Sequence, residues 1–422
     1  MKKTYFLFCI QLISLAAFSQ VPSKRILFLG NSYTSVNNLP QLLYDLAASG
    51  GDTIYFDSNA PGGYTLQGHS TNAESLGKIQ QGNWDFVVLQ EQSQLPSFPI
   101  EQVESETFPF AHALDSIIKQ TNACAKTCFY MTWGRKNGDA SNCAEWPPVC
   151  TYAGMDSLLN LRYTMMADSN QALLAPVGVV WKYLRANYPT IELYQSDESH
   201  PSYAGTYLTA CTFYSILLRK DPSLLSYSYM LSATDAASIR NAVKLLVYNN
   251  LANWNVGLAD PKTNFTQSLI SAKVISFSNR SSNCESYKWY FGDGDSSTET
   301  SPTHTYLKGG DFQVKLLGTN CNYWDTSTKT VKISSTGMAN SPLVKTELMI
   351  YPNPAQNSLY LKSNSKNEFK VQIYSVEGSL KLESITSSQK EISLRDLNAG
   401  LYFIRIETKE GELHNYRFLK EN

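Results

Sequence analysis

Lys24-Arg25-Ile26-Leu27-Phe28-Leu29-Gly30-Asn31-Ser32-Tyr33-Thr34 decides how the chain is read. Four consecutive apolar residues, Ile26 to Leu29, bounded by charge on one side and glycine on the other, predict a buried parallel strand. A helical pattern follows at Leu39, Leu42, Leu43, Leu46 and Ala47, with Pro40 near its start. Ser32 therefore falls in a tight strand-to-helix turn at the carboxyl end of the first strand. Open α/β sheets carry their chemistry at that edge. Such a turn exposes the hydroxyl and points backbone N–H groups at whatever binds there. A serine in a turn of this kind more often only caps the helix, so a catalytic reading needs partners elsewhere.

The same alternation continues to about residue 258. Apolar runs at Ile26–Leu29, Phe86–Leu89, Cys128–Thr132 and Leu173–Val177 are separated by helical patterns. These patterns lie near 39–50, 70–81, 101–120, 154–170 and 178–187. Two more helices are expected, from Tyr203 to Leu218 and over 233–251. Strand–helix alternation predicts an α/β fold, a parallel sheet with helices on both faces and right-handed crossovers. The 422 residues allow two to four domains at roughly 150 residues each. A formal net charge of −1 argues against a nucleic-acid binder, which needs a basic face.

The beginning of the chain reads as a secretory signal peptide over 1–19. Met1-Lys2-Lys3 is positive, Tyr5 to Ala17 is apolar, and Ala17-Phe18-Ser19 offers small residues before Gln20. The apolar stretch is too short for a stable membrane span, and no later stretch reaches that length. Cys9 lies inside the apolar core, which argues against a lipoprotein. The expected product is soluble and exported, so disulfides are permitted. Of the eight cysteines, Cys124 and Cys128 are close in sequence, as are Cys143 and Cys150; Cys284 and Cys321 could bridge a later domain. No histidine accompanies the first two pairs, which favours disulfides over zinc. Cys211 reads as a buried helix residue.

A serine hydrolase needs a histidine as general base. The chain has five: His69, His112, His200, His304 and His414. His304 and His414 belong to later domains, and His112 falls mid-helix. His200 sits in Asp197-Glu198-Ser199-His200-Pro201-Ser202, just before a helix start. A turn there can bring the Asp197 carboxylate to the imidazole, fixing its tautomer and stabilising the imidazolium. Alone, Asp197 would read as a helix cap; with Ser32 in its turn, a Ser32, His200, Asp197 triad is the stronger reading.

With these residues in place, the first domain resembles an SGNH (GDSL-type) hydrolase over most of residues 24 to 220. Gly30-Asn31-Ser32 resembles the family's first block. Asn59-Ala60-Pro61-Gly62-Gly63 resembles the second, and Asp197-x-x-His200-Pro201 the last. The resemblance implies a flavodoxin-like sheet, a Ser-His-Asp triad, and an oxyanion hole that includes the Ser32 and Gly63 N–H groups. No metal or cofactor is implied. The third block departs from the family's Gly-x-Asn-Asp. After Phe86–Leu89 comes Gln90-Glu91-Gln92-Ser93-Gln94, similar to the Gln-Gly-Glu-Ser-Asn of carbohydrate acetylesterases. Gln92 or Gln94 is expected to replace the usual oxyanion asparagine. Asn31 is expected on the substrate side, and His69, just after the second block, either there or supporting the site from behind.

After Trp254 helical periodicity stops. Alternating runs at Lys273–Phe277, Ser286–Tyr290, Phe312–Leu317 and Thr328–Ile333 predict a β-sandwich over 259–335. Trp289-Tyr290-Phe291-Gly292-Asp293-Gly294-Asp295, with Pro302-Thr303-His304-Thr305-Tyr306, resembles the PKD domain. Such domains are spacers or contact modules. Asp293 and Asp295 could hold calcium, but a bare hairpin turn is preferred. A second sandwich is expected over 345–422. Leu348-Met349-Ile350-Tyr351-Pro352-Asn353-Pro354 and Asn398-Ala399-Gly400-Leu401-Tyr402 resemble the C-terminal sorting domain of the type IX secretion system of Bacteroidetes-type bacteria. That resemblance implies the secretion machinery as a partner and a secreted or surface location.

The leading expectation is an exported serine esterase that deacylates, and in particular deacetylates, carbohydrate or a related ester. A surface binding or adhesion protein with a degenerate hydrolase domain is the alternative from another class, and the altered third block favours it. A lipase or thioesterase is a third, weakened by the lack of a long apolar lid.

Overall fold

The computed structural model describes residues 23–334, 348–364, 367–376, 378–409 and 412–421. The expected signal peptide, at 1–19, lies outside them. The chain forms two compact units, one ending at Ile333 and one beginning at Ser334.

The first unit opens with a five-stranded parallel sheet. Its strands are β1 (Lys24–Leu29), β2 (Ile54–Asn59), β3 (Phe86–Leu89), β4 (Lys126–Tyr130) and β5 (Leu173–Ala175). Their spatial order, β2-β1-β3-β4-β5, is the flavodoxin-like order, with its switch point between β1 and β3. Among the described residues ten α-helices accompany them. The first six are α1 (Ser32–Ser35), α2 (Leu39–Ser49), α3 (Leu66–Thr71), α4 (Ala73–Ile79), α5 (Ile100–Glu106) and α6 (Phe108–Thr121). The last four are α7 (Tyr152–Ser169), α8 (Val177–Asn187), α9 (Tyr203–Leu218) and α10 (Ala233–Leu246).

Each face of the sheet has its own core. Ile26, Phe28, Phe86, Val88, Cys128 and Tyr130 pack against α2, α8, α9 and α10. Leu27, Leu29, Val87, Leu89 and Phe129 pack against α6 and α7. The unbroken apolar runs of β1 and β3 follow from this burial on both faces. Strand β2 escapes the apolar-run criterion because it is an edge strand. Its sequence, Ile-Tyr-Phe-Asp-Ser-Asn, is buried only at its two ends. The helices expected over 70–81 and 101–120 are each split, at Asn72, whose side chain caps α4, and at Thr107, ahead of Pro109.

A seven-stranded sandwich follows in the same unit. One sheet holds β6 (Phe265–Ser271), β7 (Val274–Asn279) and β10 (Thr303–Thr305). The other holds β8 (Ser286–Tyr290), β9 (Ser296–Ser297), β11 (Gly310–Asn320) and β12 (Tyr323–Ile333). Trp289, Phe265, Phe277 and Tyr306 fill the space between them.

The cysteine pairing differs from expectation. Cys143 pairs with Cys150, but Cys124 pairs with Cys321, while Cys128, Cys211 and Cys284 are free thiols. Cys128 lies in β4, and a chain extended from Cys124 would place it roughly 13 Å away, beyond disulfide reach. The Cys124–Cys321 bridge staples the sandwich to the loop before β4. Beside it, Tyr323 lies under Lys126 Nζ at 4.8 Å and Arg219 Cζ at 4.6 Å. Arg219 in turn holds Asp260 with both of its terminal nitrogens. The bridge closes a loop of 197 residues, so its loss should cost up to about 5 kcal/mol. The double variant Cys124→Ser, Cys321→Ser should therefore unfold at a lower urea midpoint than the parent under oxidising conditions. Equal midpoints would show that the staple contributes nothing.

The second unit is described by seven strands. One sheet is β13 (Leu348–Tyr351), β14 (Ser358–Ser363) and β17 (Glu391–Ser393). The other is β15 (Glu368–Ser375), β16 (Leu380–Ser387), β18 (Gly400–Glu407) and β19 (Leu413–Lys420). Alternating residues such as Phe369, Val371, Ile373, Ile404 and Ile406 form its core.

Candidate active site

Ser32 is the first residue of α1, immediately after β1. Asn31 caps that helix, its Oδ1 accepting from Tyr33 N. Gly30 leaves no room for a side chain as its neighbours stand: a Cβ there would meet Thr34 Oγ1 at 2.4 Å and Gln90 Oε1 at 2.6 Å. The turn is tied to the end of β3. Gln90 Oε1 accepts from Asn31 N at 3.0 Å and from Thr34 Oγ1 at 2.9 Å, and Gln90 Nε2 donates to Asn31 Oδ1. Ser32 thus stands at the switch point of the sheet.

The Asp197–His200 turn comes from the segment before α9. Asp197 Oδ1 accepts from Ser199 N and His200 N, while Glu198 takes a left-handed φ of 61°. This turn brings Asp197 Oδ2 against His200 Nδ1, and His200 Nε2 reaches Ser32 Oγ at 2.8 Å. Partial burial works against the charge on Asp197, but the hydrogen bonds from His200 and Ser199 outweigh it and hold the carboxyl below its usual range. With Asp197 ionised, Nδ1 carries the proton and Nε2 is left to accept from the Ser32 hydroxyl.

Aromatic rings hold this turn in place. Tyr33 stacks on Trp133 at 4.8 Å and meets His200 edge-on at 5.4 Å. Trp133 stacks in turn on Trp181 at 3.7 Å. Tyr33 Oη shares a hydrogen bond of 2.7 Å with Ser199 Oγ, and Trp133 Nε1 donates to Ser199 O.

The other expected residues sit differently. His69 is fully buried, with Nε2 at 2.8 Å from Gly30 O and Nδ1 at 2.7 Å from Ser75 Oγ. Burial lowers its pKa, which favours the neutral ring. Asn31 is also buried, its Nδ2 donating to Tyr64 O at 2.9 Å. Both brace the turn, His69 through its two ring nitrogens and Asn31 through its Oδ1 and an Nδ2 hydrogen bond. Gln92 Oε1 accepts from Gln94 N and Leu95 N, and its Nε2 donates to Gln94 Oε1. Gln94 Nε2 donates to Asp139 Oδ2 at 2.7 Å. The expected oxyanion amides are therefore engaged with other groups, Gln92 in its own loop and Gln94 on Asp139. Gly63 is exposed, at a φ of 69°, one residue before the Tyr64 carbonyl that Asn31 holds.

Two buried residues escaped the sequence reading. Gln90, the brace of the Ser32 turn, is 0 % exposed, as is Glu91. Glu91 accepts from Leu66 N and Gln92 N, joining the start of α3 to the loop after β3. The signal available was position alone: they directly follow an apolar central strand. Among the described residues, the one cluster with metal-ligand character is Asp293, Asp295 and His304, in the sandwich. There His304 Nε2 already contacts Asp293 Oδ2 at 2.7 Å.

Two stretches of the chain match known families. Residues 349–419 match the secretion system C-terminal sorting domain. The chain is thus marked for the type IX secretion machinery, and so for the cell surface or beyond. Residues 258–335 match the PKD domain. No curated protein matches the chain. Among solved structures, a DUF4886 family protein from Bacteroides uniformis is 16% identical, covering 55% of this chain and 97% of its own, at a TM-score of 0.48. A candidate SGNH hydrolase from Slackia heliotrinireducens is 29% identical over 46% of this chain and 97% of its own, at a TM-score of 0.38. The PKD1 domain of Vibrio cholerae metalloprotease PrtV is 33% identical over 18% of this chain and 96% of its own, at a TM-score of 0.17. Among the described residues no helix is long and apolar enough to cross a membrane.

Proposed function

We propose that the first domain is a serine esterase of SGNH type, acting outside the cell on acylated, and in particular acetylated, carbohydrate or a related ester. The observation that carries this reading is the line Ser32 Oγ, His200 Nε2, His200 Nδ1, Asp197 Oδ2 at the carboxyl edge of the sheet. His200 Nε2 takes the Ser32 proton as Oγ attacks the ester carbonyl. The tetrahedral oxyanion is held by the N–H groups of Ser32 and Gly63. A third donor from Gln92 or Gln94 requires its amide to leave Gln94 or Asp139 first. The C–O bond to the alcohol then breaks, and the alcohol leaves with the proton from Nε2. Water, deprotonated by the same nitrogen, hydrolyses the acyl-serine and restores Ser32. Export and the PKD domain support an extracellular, polymeric substrate.

The test is hydrolysis of 4-nitrophenyl acetate, butyrate and octanoate by the purified full chain. Turnover that falls with acyl length is expected. A folded protein that turns over none of them would overturn the esterase reading and favour a binding role.

A further inference from the structure

We propose that the surface beside His200 is a subsite for the alcohol half of the ester, shaped for a pyranoside ring that lies on Tyr203 and Tyr229. The inference rests on the esterase reading and names where its alcohol goes. The side of attack follows from proton transfer. The leaving oxygen must take its proton from His200 Nε2, so the alcohol lies on the His200 side of Ser32 and the oxyanion on the other.

Directly after His200 the chain runs through Pro201 to Tyr203, and Asn37 is tied to it. Asn37 Nδ2 donates to Pro201 O at 3.0 Å and to Thr206 Oγ1 at 2.9 Å. Tyr229 Oη donates to Asn37 O, and the Tyr229 ring meets the Tyr203 ring edge-on at 5.7 Å. Tyr203 is 49 % exposed although it begins an otherwise buried helix, α9. Three residues around this pair hold left-handed backbone: Asn37 at 54°, Asn38 at 51° and Tyr229 at 53°. A tyrosine with such a φ is strained, and strain of this kind gathers at binding sites.

The chemistry of the patch selects the ligand. An exposed tyrosine face takes the C–H face of a sugar ring, and exposed Asn38 and Ser35 supply a polar rim for its hydroxyls. An acyl chain would gain nothing from that rim. A fatty alcohol would need a longer apolar trough than two rings offer.

The experiment compares kcat/KM of the full chain for a mono-O-acetylated methyl glucopyranoside, cyclohexyl acetate and ethyl acetate. Ethyl acetate carries no ring to lie on the tyrosines. The glucoside-to-ethyl ratio is expected to fall about tenfold in Tyr203→Ala and in Tyr229→Ala. It should hold in Tyr203→Phe, which keeps the ring. An unchanged ratio in both alanine variants would overturn the subsite while leaving the esterase standing. An equal fall for cyclohexyl acetate would overturn the pyranoside and leave a general ring site. Failure of the parent on all three esters would sink the esterase reading, and the subsite with it.

Discussion

Ser32→Ala is expected to lower kcat/KM for 4-nitrophenyl acetate by about ten-thousandfold or more. The size follows from the unity of the triad. Without Oγ there is nothing for His200 to deprotonate, and the Asp197–His200 pair orients a base with no nucleophile. What remains is the oxyanion donors and any water that His200 can activate. The fold should not suffer. Asn31, not Ser32, caps α1, and the turn is held by Gln90, Thr34 and His69. The far-ultraviolet spectrum and urea midpoint should therefore match the parent while turnover disappears. A variant that kept even a tenth of the parental rate would show that another group attacks the ester, and the role assigned to Ser32 would be withdrawn.

The parts of this site that could be read in the sequence are those where chemistry and local structure coincide. Ile26–Leu29 is apolar because both faces of the sheet are covered there, and the Gly30–Ser32 turn must end that run. Asp197 and His200 could be paired because their spacing suits one turn and Ser32 in its own turn gave the pair a role. The braces were hidden because their partners are distant in sequence. His69 is 39 residues from the Gly30 carbonyl it holds, and Gln90 is 59 from Asn31. Gln92 and Gln94 illustrate the converse. They follow β3 as expected, but the Gln92 amide bonds within its own loop and the Gln94 amide reaches Asp139, 45 residues on, and residue type alone does not reveal either choice. The Cys124–Cys321 pairing was similarly out of reach, since it depends on how the sandwich sits on the sheet's amino edge. Strand β2 hid for another reason, its exposed edge carrying polar residues.

Glu91→Gln is expected to change how stability depends on pH. Glu91 is fully buried, and among the described residues no cation pairs with it. Its carboxyl accepts from Leu66 N and Gln92 N, which favours the charged form, but burial weighs more and pushes the pKa up from 4.5 to about 8. The folded chain therefore keeps a proton that the unfolded chain releases. For a carboxyl raised in this way, stability is full below its ordinary pKa and is lost as pH rises toward about 8. A shift of that size corresponds to on the order of 5 kcal/mol. The amide of the variant cannot titrate, so its stability should lack that slope. Urea midpoints at pH 5, 7 and 9 measure the difference: near pH 5 the two proteins should be close, and by pH 9 the variant should be the more stable by about 3 to 5 kcal/mol. Parallel curves would mean that the backbone N–H groups stabilise the carboxylate enough to cancel its burial. Either result bears on the site, because Glu91 links the start of α3, three residues beyond Gly63, to the loop that carries Gln92 and Gln94. A parent that weakens toward pH 9 should loosen that link first, so its ester turnover should decline there while that of Glu91→Gln does not.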